Sequence, residues 1–247
     1  ISDKPGSCVH RMEACISEIW ALMAASHLKL NDSKTEVIVL TSASAKPSTP
    51  IDSIMIGDCS VTPTECVRNL GVMFDCHMTM RETINRMCAS SYLHLHNIAS
   101  IRDSLTEEAT VHIIHAFVTS RIDYCNSLLY GLPEQAIKSI QRVQNMAARI
   151  VLRKSKPDSG TDMLKKLHWL PVKQRIAYKI SLLTFKALHG MAPSYLQCLL
   201  HHYVPARSLR SESANLLIVP KSLKKQSSQG FKHAAPTLWN ELPISLR

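Results

Sequence analysis

The chain has 247 residues, 45% hydrophobic and 19% charged, which is enough apolar material for a sizeable core and excludes a disordered tail. Lys and Arg number 29 against 19 Asp and Glu, a formal net charge of +10 that favours a polyanionic partner, nucleic acid before an anionic membrane surface. No stretch approaches the roughly 18 apolar residues of a membrane span, and the N-terminus lacks a charged-then-apolar signal, so an intracellular place, cytoplasmic or nuclear, is expected and membrane association is not.

Val9, Met12, Ile16, Ile19, Trp20 and Met23 recur at helical spacing and predict a helix over 8–27. The β-branched run 35–40 predicts a strand. A Ser/Ala/Pro loop covers 42–50. Residues 54–61 predict a hairpin turning at Gly57-Asp58. Residues 67–74 predict one further strand, with Gly71 inside it marking a bulge or a close backbone approach. After Asp75 the period becomes helical. One helix is expected over 79–101. A second is expected over 105–128, opened by a capping box of Ser104 and Glu107. A third follows Pro133 and runs to about Leu152, with Pro133 in its first turn. Residues 154–160 read as a polar linker. Pro171 opens a long helix that Gly190 ends, and Pro193 opens a shorter one. From about Ser208 the chain is irregular, except for a short docking helix around 235–239. The expected fold class is α+β and mostly helical. Residues 1–76 form a small sheet piece with one helix, 77–205 a helical bundle, and 206–247 a loop-rich basic tail.

Charge follows this division. Residues 1–75 carry 6 basic and 9 acidic side chains, and residues 76–134 carry 4 and 6. Residues 135–247 carry 19 basic and only 4 acidic, a net charge of +15. The polyanion argument therefore applies to the C-terminal part alone.

The 8 cysteines include no Cys-x-x-Cys pair. The loose group Cys59, Cys66, Cys76 and His77 lacks the two close ligand pairs of a structural zinc site, and buried thiols are the expected reading. His94, His96, His201 and His202 have no acidic or cysteine partner at ligand spacing and read as helix-surface or packing residues.

Several runs resemble LINE-type (non-LTR) retrotransposon reverse transcriptases just past their catalytic aspartates. They are residues 28–36 (Leu-Lys-Leu-Asn-Asp-Ser-Lys-Thr-Glu), 69–75 (Asn-Leu-Gly-Val-Met-Phe-Asp), 120–133 (Ser-Arg-Ile-Asp-Tyr-Cys-Asn-Ser-Leu-Leu-Tyr-Gly-Leu-Pro), 140–149 (Ile-Gln-Arg-Val-Gln-Asn-Met-Ala-Ala-Arg), 167–172 (Leu-His-Trp-Leu-Pro-Val) and 235–240 (Ala-Pro-Thr-Leu-Trp-Asn). They occur in the family's order and span nearly the whole chain. The resemblance implies a right-hand RNA-directed DNA polymerase, a nucleotidyltransferase of a transposable element. Residues 1–76 would be the end of its palm with the primer-grip region, and the helices its thumb and the adjoining helical region. The partners implied are an RNA template and a DNA primer, held as a duplex without sequence readout; the oligomeric state stays open.

The family's two adjacent aspartates, which with a third hold two Mg²⁺ ions, have no counterpart here, since no Asp-Asp pair occurs in the sequence. They would lie shortly before Ile1, and the chain reads as a fragment of a longer reading frame. No cofactor is therefore expected in this chain, Mg²⁺ belonging to the intact polymerase, and the fragment alone is expected to be inactive.

The resemblance makes Lys34 a candidate, vestigial here, to protonate or stabilise departing pyrophosphate, against the plain reading of a solvated loop lysine. Leu70 and Gly71 match the primer-grip strand, against a core strand with a bulge. Arg142, Arg149, Arg153 and Lys154, with Lys165, Lys166, Lys173, Arg175 and Lys179, are candidates for a phosphate-tracking surface, the first three near one helix face by spacing. The alternative is a solvated face that pairs with helix dipoles. Trp169 and Trp239 read as core anchors. Lys221, Lys224 and Lys225 form a basic loop. Two other functional classes stay open: a stand-alone basic nucleic-acid-binding module, and a helical protein-interaction scaffold.

Overall fold

The computed structural model describes residues 5–29, 31, 34–41, 51–56, 59–154, 158–205, 214–221 and 228–247. The fold is mostly helical with two small antiparallel sheets. It divides into two compact units, Ile1–Thr83 and Ile84–Arg247.

In the first unit, helix α1 (Pro5–Ala25) matches the predicted amphipathic helix and ends with His27 in the left-handed region. The Leu28 N–H reaches back to the Met23 carbonyl across that turn, which satisfies an end group of the helix. Strands β1 (Ile54–Ile56) and β2 (Cys59–Val61) pair with Ile56 opposite Cys59, as predicted; the turn at Gly57-Asp58 lies outside the described residues. Ile54, Ile56 and Val37 make a small core, against which Val9 and Ile16 of α1 pack with Ile51 and Val61. Glu13 of α1 accepts the Met55 N–H at 3.1 Å, tying the helix to the strand.

Two strand expectations are corrected. Residues 35–40 form no strand; Val37 makes one isolated bridge to Pro63, and Thr64 donates to the Val37 carbonyl at 2.8 Å. A lone bridge buries Val37 without building a ladder, so β-branched composition did not suffice. Residues 67–74 are two strands, β3 (Cys66–Asn69) and β4 (Val72–Asp75). Asn69 faces Val72, and Leu70 (φ 47°) with Gly71 (φ 85°) makes the two-residue turn between them. Positive φ at both positions matches the twist of the flanking strands, so Gly71 marks a turn and not a bulge.

In the second unit, α2 (Arg81–Ser100, beginning in the first unit) matches expectation and buries Ile84, Leu95 and Ile98. The next helix differs from its prediction. Its N-cap is Thr106, whose hydroxyl accepts the Ala109 N–H at 3.1 Å, while Ser104 lies in a preceding 3₁₀ turn. It runs as α3 (Glu107–Ile114), a π segment (His115–Thr119) and α4 (Ser120–Asp123), and stops where Cys125 turns left-handed. Thr110, Ile114, Val118 and Ile122 are all buried. Spacing of four drifts about 40° per step in an ideal α-helix; the wider π turn takes up that drift and keeps the stripe inward. Helix α5 (Glu134–Leu152) has Pro133 as its N-cap, one position earlier than predicted. Helix α6 (Gly160–Lys166) was missed within what read as linker and connection. Helix α7 (Val172–Leu188), capped by Pro171 and ended by Gly190, follows expectation, as do α8 (Ser194–Gln197) and α9 (Phe231–Glu241). Helix α7 is the hub, with α4, α5, α8, α9 and the 3₁₀ turn 126–129 packed on it.

Candidate nucleic-acid interface

Two of the runs that carry the resemblance, 140–149 and 167–172, meet in the second unit and hold each other, while 28–36 and 69–75 lie in the first unit. Gln141 and Gln144 of α5 reach the 170–172 turn: Gln144 Nε2 donates to the Leu170 carbonyl at 2.8 Å, and Gln141 Oε1 accepts the Val172 N–H at 2.9 Å. Gln141 Nε2 also donates to Gln144 and to Asn145, each at 2.9 Å. Pro171, the N-cap of α7, has no side-chain acceptor for the orphan amides of the first turn, and Gln141 of α5 accepts one of them. Trp169 is buried, its ring tilted against His115 with centroids 5.3 Å apart. Burial, the nearby Arg175 cation and His112 hold the His115 pKa below its ordinary value, against a smaller opposing effect of Asp123.

Arg175 belongs to this lattice. Its Nη1 meets Asp123 Oδ2 at 2.7 Å and its Nε donates to the Leu170 carbonyl at 2.8 Å. Asn126 is buried and donates to Asp123 Oδ1 at 3.3 Å. Asp123, Asn126, Arg175, Tyr178 and Lys179 line a cleft of about 260 Å³. Trp239 of α9 is buried and donates to the Asn215 carbonyl at 3.0 Å, while Asn240 both accepts from and donates to the Leu217 backbone. Both tryptophans are thus core anchors.

The predicted phosphate-tracking set divides. Arg153 does not share a helix face with Arg142 and Arg149: it sits past the end of α5 at φ 52°, donates to the Arg102 carbonyl and pairs with Asp103 at 3.4 Å. The spacing argument failed because α5 had already ended. Arg149 is half-buried, with its Nε enclosed. Arg142, Lys154, Lys165, Lys166, Lys173 and Lys179 are exposed, and none has an ion-pair partner among the described residues. Lys221 is exposed; Lys224 and Lys225 lie outside the described residues.

In the first unit, Lys34 is exposed, its N–H donating to the Asn31 carbonyl at 3.1 Å; Asp32 and Ser33 beside it lie outside the described residues. Leu70 is 83% exposed at its hairpin tip. Asp75, the last residue of that run, closes the turn into α2. It accepts the N–H groups of His77, Thr79 and Met80 and the Thr79 hydroxyl at 2.8–3.1 Å. Burial pushes its pKa up, but these hydrogen bonds outweigh it and hold the carboxyl below its ordinary value. Among the described residues no group of three or more His, Cys, Asp or Glu is placed to hold a metal ion.

Arg102 escaped the sequence reading. It is buried, and its guanidinium donates to the carbonyls of Ile150, Val151 and Leu105. No local signal marks a side chain that caps a helix lying about 50 residues away in sequence. Comparison of the chain with protein-family models, with curated proteins and with solved structures found no significant match.

Proposed function

We propose that this chain is the C-terminal part of a non-LTR reverse transcriptase and contributes sequence-nonspecific grip on a template–primer duplex, without bond-making chemistry of its own. The observation that carries the grip is charge. Residues 135–247 hold 19 basic and 4 acidic side chains, and Arg142, Lys154, Lys165, Lys166, Lys173 and Lys179 are exposed with no acid partner among the described residues. Cations without acid partners bind phosphates by releasing counterions. The six ordered runs support the family; the hydrogen bonds between two of them, 140–149 and 167–172, give that pair a shared structural reason to occur together. Arg175 leaves the predicted contact set because Asp123 holds it at 2.7 Å, and Arg153 leaves the shared helix face because it lies past the end of α5.

The test is binding of an RNA–DNA duplex across a salt series. The chain should bind with a steep salt dependence, and replacing Lys165, Lys166, Lys173 and Lys179 with Ala should flatten the slope by about 0.9 for each phosphate left without its cation. Absence of binding at low salt overturns the reading. Template-dependent primer extension by the chain alone would overturn the assignment of no chemistry.

A further inference from the structure

The π segment displays a second feature, apart from the lysines. Phe117 and Arg121 lie on the outer side of the helix whose inner stripe is Ile114, Val118 and Ile122. The His94 ring of α2 stacks on Phe117, with centroids 5.2 Å apart and planes at 29°. Phe117 nevertheless remains 47% exposed. Arg121 anchors the pair: its Nε donates to the Phe117 carbonyl at 2.9 Å and its Nη2 to His94 Nε2 at 3.1 Å. Arg121 is exposed and has no carboxylate partner among the described residues. A ring backed on one face and half open, beside a fixed and unneutralised guanidinium, suits a flat aromatic ligand that carries a phosphate. The unit around it, residues 84–247, holds 22 basic and 9 acidic side chains, which favours a polyanion over an aromatic peptide.

We infer that His94, Phe117 and Arg121 form a stacking site for an unpaired base of single-stranded nucleic acid, with Phe117 as the platform and Arg121 on the adjoining phosphate. The inference rests on the nucleic-acid reading above and adds single-strand recognition to it. A base stacks on a π face whatever its identity, so the site is sequence-tolerant. The fixed hydrogen bonds of Arg121 spare part of the ordering cost on binding.

The experiment uses the full chain and a short single-stranded DNA bearing one 2-aminopurine, whose fluorescence falls on stacking, with a fully paired duplex as reference. The chain should quench the probe. Phe117→Ala should weaken single-strand affinity about tenfold relative to duplex affinity, and Phe117→Trp should restore it while showing that the site tolerates replacement. Arg121→Gln should lower the single-strand salt slope by about 0.7. Unchanged single-strand affinity in Phe117→Ala overturns the inference. So does duplex binding without any quenching of the single strand, which leaves the duplex-grip reading intact. Failure to bind either form at low salt overturns the duplex-grip reading and the inference with it.

Discussion

Arg102 offers the sharpest test of how the helical unit is held. Its side chain is 8% exposed and donates to Ile150 O at 2.9 Å, Val151 O at 2.8 Å and Leu105 O at 2.7 Å. The first two are last-turn carbonyls of α5, which have no amide ahead of them in the helix. The guanidinium also opposes the negative end of the helix dipole. Arg102→Ala leaves three carbonyls without this donor. Hydrogen bonds to a charged group are each worth about 1.5–3 kcal/mol, so simple addition gives about 4.5–9 kcal/mol. The native state also bears the cost of burying the cation, which the variant avoids, so a net loss of about 3–5 kcal/mol is expected. That is a large share of a total stability of about 5–15 kcal/mol. Arg102→Lys keeps the charge but lacks the planar fork, and should lose about half as much. Urea unfolding followed by far-ultraviolet circular dichroism measures this, provided the slope is unchanged. The internal control is Lys138→Ala, which removes an exposed i,i+4 pair with Glu134 at 3.2 Å and should cost about 0.3–0.5 kcal/mol. A loss below about 1 kcal/mol for Arg102→Ala, within the range of such exposed pairs, refutes the reasoning.

Two other predictions concern single residues. Asp75→Asn should cost about 1–2 kcal/mol near neutral pH, because three N–H groups and a hydroxyl lose their carboxylate. The folded pKa lies below the unfolded one, so the native carboxylate stabilises fully above the unfolded value of about 3.9 and less as pH falls through the folded value. The gap between wild type and variant should therefore close in acid, and a gap that stays constant as the solution is acidified sinks the argument. Gly131 has φ +74°, and a Cβ there would lie 2.8 Å from Gln229 Cγ, whose amide donates to the Gly131 carbonyl. Gly131→Ala should cost about 1–2 kcal/mol, from left-handed strain and displacement of Gln229; a thermal midpoint equal to wild type would contradict it.

How much of the fold was legible in the sequence depended on whether the cause was local. Apolar spacing placed α1 and the helical period α2, and prolines placed the starts of α5, α7 and α8, because helical period and proline's missing N–H act within a few residues. Helix ends were harder. Gly190 is left-handed after α7 and was readable, but His27, Arg153 and His168 adopt the same conformation after α1, α5 and α6 without a glycine to show it. The Leu70-Gly71 turn hid inside a stretch that read as one strand, since register, not composition, decides where a strand folds back. The basic residues themselves were countable from the start. Which cations remain available was decided by tertiary structure, which gave Arg175 to Asp123 and enclosed Arg102, as it also set Phe117 beside His94. Composition fixes the net charge of the chain, but an ion pair or a ring stack depends on distances between residues far apart in sequence, and only the packed helices set those distances.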